Sequence, residues 1–392
     1  MTRESTAPAY QTAPQRRSEP AEKSTLIQRG KVDVTFLSLV IVLLTIGLIC
    51  LFSASYAYAQ ERYNDSYKFI WRQFLFAVVG VVVMLVLSRI NCDVFRRFAW
   101  AIYAVSIGLL VLVLCLPAVA NVHRWINIGP IGIQPSEIAK FAVALLFAHL
   151  ISSNYRNMPR ASFSVFFLGL LLVVPCALVF VEPHLSGTLL LFAIGAVLIT
   201  IGGIKLYYVI IPLAGAVLLV ILAVFGRVIS YANSRIEFWL NPWSDTADKG
   251  YQTIQSLIAI GSGGVMGKGL GQSNQKQLYV PEPQNDFIFA IVCEELGLIG
   301  ALFIILLFAL LVWRGFTIAM RAPDKFRSLL AIGLTFCVGL QAALNVMVVT
   351  NTIPNTGISL PFFSYGGTAL LITLAQMGIV LSISRSSTVN KA

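Results

Sequence analysis

Residues 279–297 read YVPEPQNDFIFAIVCEELG, and this stretch decides how the whole chain is read. A polar, proline-containing run ends at Asp286, and an apolar run starts at Phe287 and continues to residue 313. About 20 consecutive apolar residues suffice to cross a bilayer as a helix. Asp286 therefore stands where a polar loop meets a membrane-spanning helix. A carboxylate at that boundary can meet a lipid anchor on one side and a hydrophilic headgroup on the other. Two roles fit it. Asp is a favoured helix N-cap, and an ionised carboxylate can act as a general base. The two are compatible, because the positive end of a helix favours the charged form.

Working outward, the 392 residues are 57% hydrophobic and only 11% charged, and the mean hydropathy is +0.82. A soluble domain is about 25% charged, so an ordinary globular protein is excluded. Ten spans are legible, at 34–55, 71–89, 98–117, 136–152, 162–181, 186–203, 206–226, 287–313, 328–350 and 367–384. The expected fold is an all-α polytopic membrane protein of about ten transmembrane helices with one long extracytoplasmic loop. A net charge of +11 raises the question of nucleic acid. The distribution answers it. With the N-terminus in the cytoplasm, most Lys and Arg fall in the tail and in short cytoplasmic loops, such as Arg314 to Arg327. That is the positive-inside pattern, and no nucleic-acid partner is expected. Residues 1–33 read as a disordered cytoplasmic tail, 34–384 as the membrane domain, with its long loop at 227–286, and 385–392 as a second cytoplasmic tail. No cleavable signal is expected behind a polar tail of that length. The six cysteines lie in or beside spans without metal-ligand or disulfide spacing.

The chemistry-bearing residues gather on the outer side. Glu294 and Glu295 lie about 12 Å into their span at 1.5 Å per residue. Charge at that depth is costly and marks either function or a structural ion pair. Glu137 and Lys140 are spaced i,i+3 at a helix start, side by side, and read equally as a local salt bridge or as a pair lining a cavity. Arg124 can clamp a phosphate, and Trp125 suits the interface. Arg235, Lys268 and Lys276 in the long loop could meet a diphosphate, with solvated charge as the plainer reading. The long loop is expected to hold short amphipathic helices on the membrane surface. Its GSGGVMGKG run (261–269) fails the P-loop pattern, because Ser262 stands where Gly is required and Gly269 where Ser or Thr is required. His149 and His184 are isolated and read as structural.

Four motifs then occur in order: HRWINIGPIGIQPSEIAKFA (123–142), NPWSDTADKGYQTIQSLIAIGSGGVMGKGLGQS (241–273), PEPQNDFIFAIVCEELG (281–297) and TGISLPFFSYGGTALL (356–371). Together they resemble the SEDS family of shape, elongation, division and sporulation proteins, represented by FtsW, RodA and SpoVE. The likeness spans residues 33–384 and is nearer to FtsW and SpoVE than to RodA. It implies a peptidoglycan glycosyltransferase that polymerises lipid II into β-1,4-linked glycan during division or sporulation. It also implies a multi-pass position in the bacterial cytoplasmic membrane, both termini cytoplasmic. The resemblance gives Asp286 the catalytic role and makes Glu137 and Lys140 functional. Arg124, Trp125, Ser262, Lys268, Gln272, Glu282 and Glu294 are the supporting or substrate-binding candidates. One departure stands out: His184 occupies a turn position where many members carry Asp, and no role is assigned to it. Implied partners are lipid II, the growing glycan strand, a class B penicillin-binding protein, other divisome or elongation proteins, and membrane lipids. Arg124 and Lys268 are candidates to stabilise the leaving diphosphate. A divalent cation (Mg or Mn) is the alternative, although no carboxylate cluster is evident to hold one. The rival function is a lipid II flippase, and a third reading is a scaffold that only positions partner proteins.

Overall fold

The computed structural model describes residues 30–117, 124–129, 131–205, 207–208, 239–244 and 250–387. The expected N-terminal tail up to residue 29, nearly all of the seventh span (206–226), His123 and Arg235 lie outside the described residues. The nine other expected spans each fall on a helix. They are α1 (Val34–Tyr63), α2 (Lys68–Leu87), α4 (Ala99–Cys115), α5 (Pro135–Ser153), α6 (Leu168–Val181), α7 (Leu185–Ile201), α9 (Ile288–Met320), α10 (Lys325–Val349) and α11 (Gly367–Ser387). Two shorter helices, α3 (Cys92–Arg97) and α8 (Tyr251–Gly263), complete the described set. A π-helical turn at Ser162–Phe167 leads into α6. One departure from an all-helical chain is a small antiparallel hairpin, Ile126–Ile128 paired with Ile131–Ile133.

Local chemistry sets the helix ends. Asp33 caps α1 by accepting from the Phe36 amide at 2.9 Å, and Asp324 caps α10 by accepting from Arg327 at 2.9 Å. Pro135 opens α5 at its first position, where its missing N–H costs nothing. The central helix is α5, packed against α4, α7 and α10. Its Val143, Leu145, Leu146 and Phe147 have no exposed surface. By contrast α2 is a peripheral helix. Trp71, Phe74, Val78, Val82 and Leu85 are exposed on it at spacings of three and four, an apolar stripe facing lipid. Seven of the described helices are long and apolar enough to cross a membrane, so this is a multi-pass membrane protein.

Two charge clusters tie the end of the bundle opposite the site. Arg314 pairs with Asp33 at 2.8 Å, joining α9 to the start of α1. Arg327 pairs with Asp93 at 2.8 Å, joining α10 to α3.

The geometry of α9 bears on the depth of Glu294 and Glu295. The 33 residues of α9 would extend about 50 Å, whereas a hydrocarbon core is about 30 Å thick. The helix is also broken at Gly297, whose φ of 67° and ψ of −170° are not helical. Exposed apolar side chains begin only beyond the break, at Leu298 and Ile299. Everything from Ile288 to Cys293 is buried in protein. Counting about 20 residues back from Trp313, beside the Arg314–Asp33 pair, puts the far boundary near Glu294. With Trp313 as the near limit, Glu294 and Glu295 fall at the far boundary rather than 12 Å beneath it.

Candidate active site

A cavity of about 540 Å³ opens between α2, α5, α7, α10 and α11, and Asp286 lines it. Asp286 immediately precedes α9, but the N-cap residue is Phe287, and no side chain makes a capping bond there. The capping role is thus not the one Asp286 takes. What holds it is its backbone. The buried amide of Asn345 donates to the Asp286 carbonyl at 2.7 Å and to the Ile358 carbonyl at 2.6 Å. One side chain on α10 thereby joins two walls of the cavity. On the second wall, Gly357 has a φ of +69°, and a Cβ there would lie 3.2 Å from Asp286 Oδ2. Glycine lets that wall close on the carboxylate. The loop around Asp286 is laced further. Tyr365 N–H donates to the Gln284 carbonyl at 2.8 Å, and Ser364 Oγ donates to the Asn285 carbonyl at 2.8 Å.

Burial raises the Asp286 carboxyl to about 6, Arg124 opposes that rise, and Glu282 adds to it. The helix-end charge expected to keep it fully ionised is outweighed by loss of water. The resulting group is ionised at neutral pH yet far more basic than an ordinary Asp, which suits proton abstraction.

The cavity floor is a buried polar triad. Lys140 Nζ donates to Glu137 Oε1 at 2.8 Å and to Gln341 Oε1 at 2.9 Å. Gln341 in turn donates to the Ser359 carbonyl at 3.1 Å. The i,i+3 pair is therefore both a salt bridge and a cavity lining, the two readings the sequence left open. Arg124 and Trp125 line the wall opposite. Arg124 donates Nε to the Glu182 carbonyl at 3.2 Å and Nη2 to the Pro183 carbonyl, which fixes the guanidinium at the cavity. The hairpin carrying Trp125 is tied to α11 by Thr368, which donates to the Gly132 carbonyl at 2.7 Å. Glu282 stands exposed at the rim.

Four expected site residues are not brought to this cavity. Glu294 is fully buried and is the hub of a separate knot. It accepts from Lys268 Nζ at 2.6 Å, Ser262 Oγ at 3.1 Å, Ser273 Oγ, and the amides of Asn274 at 3.1 Å and Gln275 at 3.2 Å. Lys268, expected to face a diphosphate, is occupied by this carboxylate instead. Gln272 is exposed in the same loop. Glu295 makes a second pair with Lys276 at 2.9 Å. The cause is electrostatic: a buried carboxylate is tolerated only with charge and hydrogen-bond partners, and the glycine-rich loop supplies them.

Sequence reasoning missed other residues in and around the cavity. Gln341 and Asn345 lie four apart on one face of α10, and two amides at that spacing in an apolar span are a signal. Arg72 lines the mouth, and its neighbour Gln73 accepts from the Gly366 amide at 3.1 Å. His184 lines the cavity, and burial holds its imidazole down to about 3, so it stays neutral. Glu182, next to it, is buried with neither carboxylate oxygen hydrogen-bonded. Burial raises it to about 8, against Arg124.

Among the described residues no group of three or more His, Cys, Asp or Glu could hold a metal ion. In the cavity Glu137 is committed to Lys140, which leaves Asp286 and the exposed Glu282. That donor set does not fit a tightly held divalent cation.

Comparison with known proteins agrees over nearly the full length. The model of the cell cycle protein family that groups FtsW, RodA and SpoVE matches residues 34–389. Stage V sporulation protein E of Bacillus subtilis is 40% identical over 364 residues, covering 91% of this chain and 97% of that one. A probable peptidoglycan glycosyltransferase FtsW of Geobacter metallireducens is 33% identical, covering 92% and 97%. Among solved structures, a chain of a peptidoglycan synthase complex coordinating polymerization and crosslinking superposes with a TM-score of 0.77 at 25% identity, covering 91% and 99%. The rod shape determining protein RodA of Thermus thermophilus gives 0.68 at 23% identity, covering 91% and 98%. The chain belongs to the FtsW, RodA and SpoVE family of cell cycle proteins.

Proposed function

We propose that this chain is a peptidoglycan glycosyltransferase that polymerises lipid II, with Asp286 as the general base. The observation that carries the reading is a backbone-clamped carboxylate of raised basicity facing a polar cavity beside a fixed guanidinium. Asp286 takes the proton of the acceptor's sugar 4-hydroxyl. The oxygen attacks the anomeric carbon of the donor strand as the bond from that carbon to the diphosphate oxygen breaks. Undecaprenyl diphosphate leaves with the bonding electrons, and the configuration inverts. Diphosphate is a good leaving group, so one base suffices, and Arg124 offsets its developing charge. Nothing in this scheme requires a metal ion.

The similarity to sporulation and division proteins supports a role in one of those processes, with a class B penicillin-binding protein as partner. The positive-inside distribution supports cytoplasmic termini and a site on the outer face. A flippase would need a polar route through both leaflets, whereas the described cavity ends at the Lys140 triad.

The test is purified protein, alone and with its cognate transpeptidase, given lipid II in detergent, wild type beside Asp286→Asn. Polymer from the wild type alone is expected. Polymer from a folded Asp286→Asn variant refutes the base assignment. Polymer from neither, with lipid II crossing liposome membranes in both, favours the flippase.

A further inference from the structure

The break in α9 is not left open. Leu298 N–H donates to the Gly264 carbonyl at 3.0 Å, and Ile299 N–H to the Val265 carbonyl at 3.2 Å. In return Lys268 N–H donates to the Glu294 carbonyl at 3.0 Å, and Gly269 N–H to the Glu295 carbonyl at 2.9 Å. The loop after α8 thus replaces the helix's own lost hydrogen bonds. Gly267 and Gly297 meet backbone to backbone at φ of +79° and +67°, where a Cβ on either would strike the other strand. This register fixes the depth of the loop, since it lies beside residues 294–299 of α9. Counting from Trp313 as above, Leu298 and Ile299 are about 7 Å inside the hydrocarbon.

The side chains of the loop sort accordingly. Lys268 turns back to Glu294. Val265, Met266 and Leu270 point away from the protein, Met266 with 79% of its surface exposed. Val265 is bonded through its carbonyl to Ile299, beside Leu298, Ile299 and Leu302, which are likewise exposed. Non-helical backbone survives at membrane depth only where its polar groups are satisfied by protein, and the helix break satisfies the Gly264 and Val265 carbonyls and the Lys268 and Gly269 amides.

We propose that the Val265–Leu270 loop is inserted into the site-side leaflet, with Val265, Met266 and Leu270 among lipid acyl chains. It pins the start of α9, and so the level of Asp286, to the membrane. The proposal rests on the membrane fold and not on the mechanism assigned to Asp286.

The test is a nitroxide at Met266→Cys in a Cys115→Ser, Cys176→Ser background, reconstituted in phospholipid nanodiscs without any partner. Collision rates with oxygen and with a water-soluble nickel chelate report depth. Leu302→Cys serves as the lipid reference and Glu61→Cys as the aqueous one, each checked for folding by size exclusion. The oxygen-to-nickel ratio at Met266 is expected to match Leu302 and to exceed Glu61 several-fold. A ratio nearer Glu61 overturns the proposal. If Met266→Cys does not fold, Leu270→Cys reports the same depth.

Discussion

Glycan polymerisation should follow the ionisation of Asp286. With its carboxyl at about 6, about one-tenth of the sites are ionised at pH 5, against more than about nine-tenths for an unperturbed Asp. Initial rates on lipid II between pH 5 and 8, at fixed ionic strength, should therefore show an acid limb with a midpoint near 6. The neighbours give the signs. Arg124→Gln removes a charge that lowers the carboxyl, so the midpoint rises. Glu282→Gln removes one that raises it, so the midpoint falls. Arg124 also faces substrate in the proposed mechanism, so midpoints rather than plateau rates are compared. Stability carries the same signature. The folded-state value lies above the unfolded one, so the folding cost is absent below about pH 4, grows up to about pH 6 and is constant above it. Asp286→Asn should thus raise the unfolding temperature at pH 7 and leave it unchanged at pH 4. The gain at pH 7, discounted for partial exposure, is up to about 2 kcal/mol. An acid limb centred near 4, or a midpoint indifferent to both neighbours, refutes the reasoning.

Lys140→Met should lower stability by about 3–5 kcal/mol, because it leaves Glu137 charged and buried without its partner; thermal unfolding in detergent measures it, and adding Glu137→Gln should restore part of the loss. Asn345→Ala should lower kcat about tenfold with little change in the KM for lipid II, since it releases the Asp286 and Ile358 carbonyls without touching substrate. Steady-state kinetics beside a circular-dichroism melt separates that effect from simple unfolding.

Much of this was legible because charge is rare in the chain. Asp286, Glu137 and Lys140 stand out as polar residues at helix starts and Arg124 as a phosphate clamp in an outer loop, and the cavity gathers all four. The spans were legible from length and hydropathy, though helices overrun the hydrophobic limits. The helix α1 continues to Tyr63, because backbone hydrogen bonds persist in water once a helix is nucleated. Lys268 was misplaced for a different reason. A lysine among glycines reads as solvated, and its partner Glu294 is 26 residues away, a contact that only tertiary folding creates. The hairpin was missed although INIGPIGI alternates β-branched residues around a Gly-Pro turn, a short-range strand signal. Gln341 and Asn345 carry no charge, so the rarity of charge does not single them out.

The floor of the cavity has an electrical consequence. One to two turns deeper than Lys140, Val143, Ala144 and Phe147 have essentially no exposed surface. Among the described residues, α5 closes the pit beneath Lys140. Water entering from one face brings that side's potential down to Lys140, so the membrane voltage drops across a shorter stretch of protein. An elementary charge crossing the full potential gains about 2.3 kcal/mol per 100 mV. A lone lysine at the bottom would feel much of that pull, and so would a lone glutamate. Glu137 and Lys140 together carry no net charge, so the voltage does no net work on them as a unit. The polar floor can thus sit within the membrane field without being pulled by it as a unit.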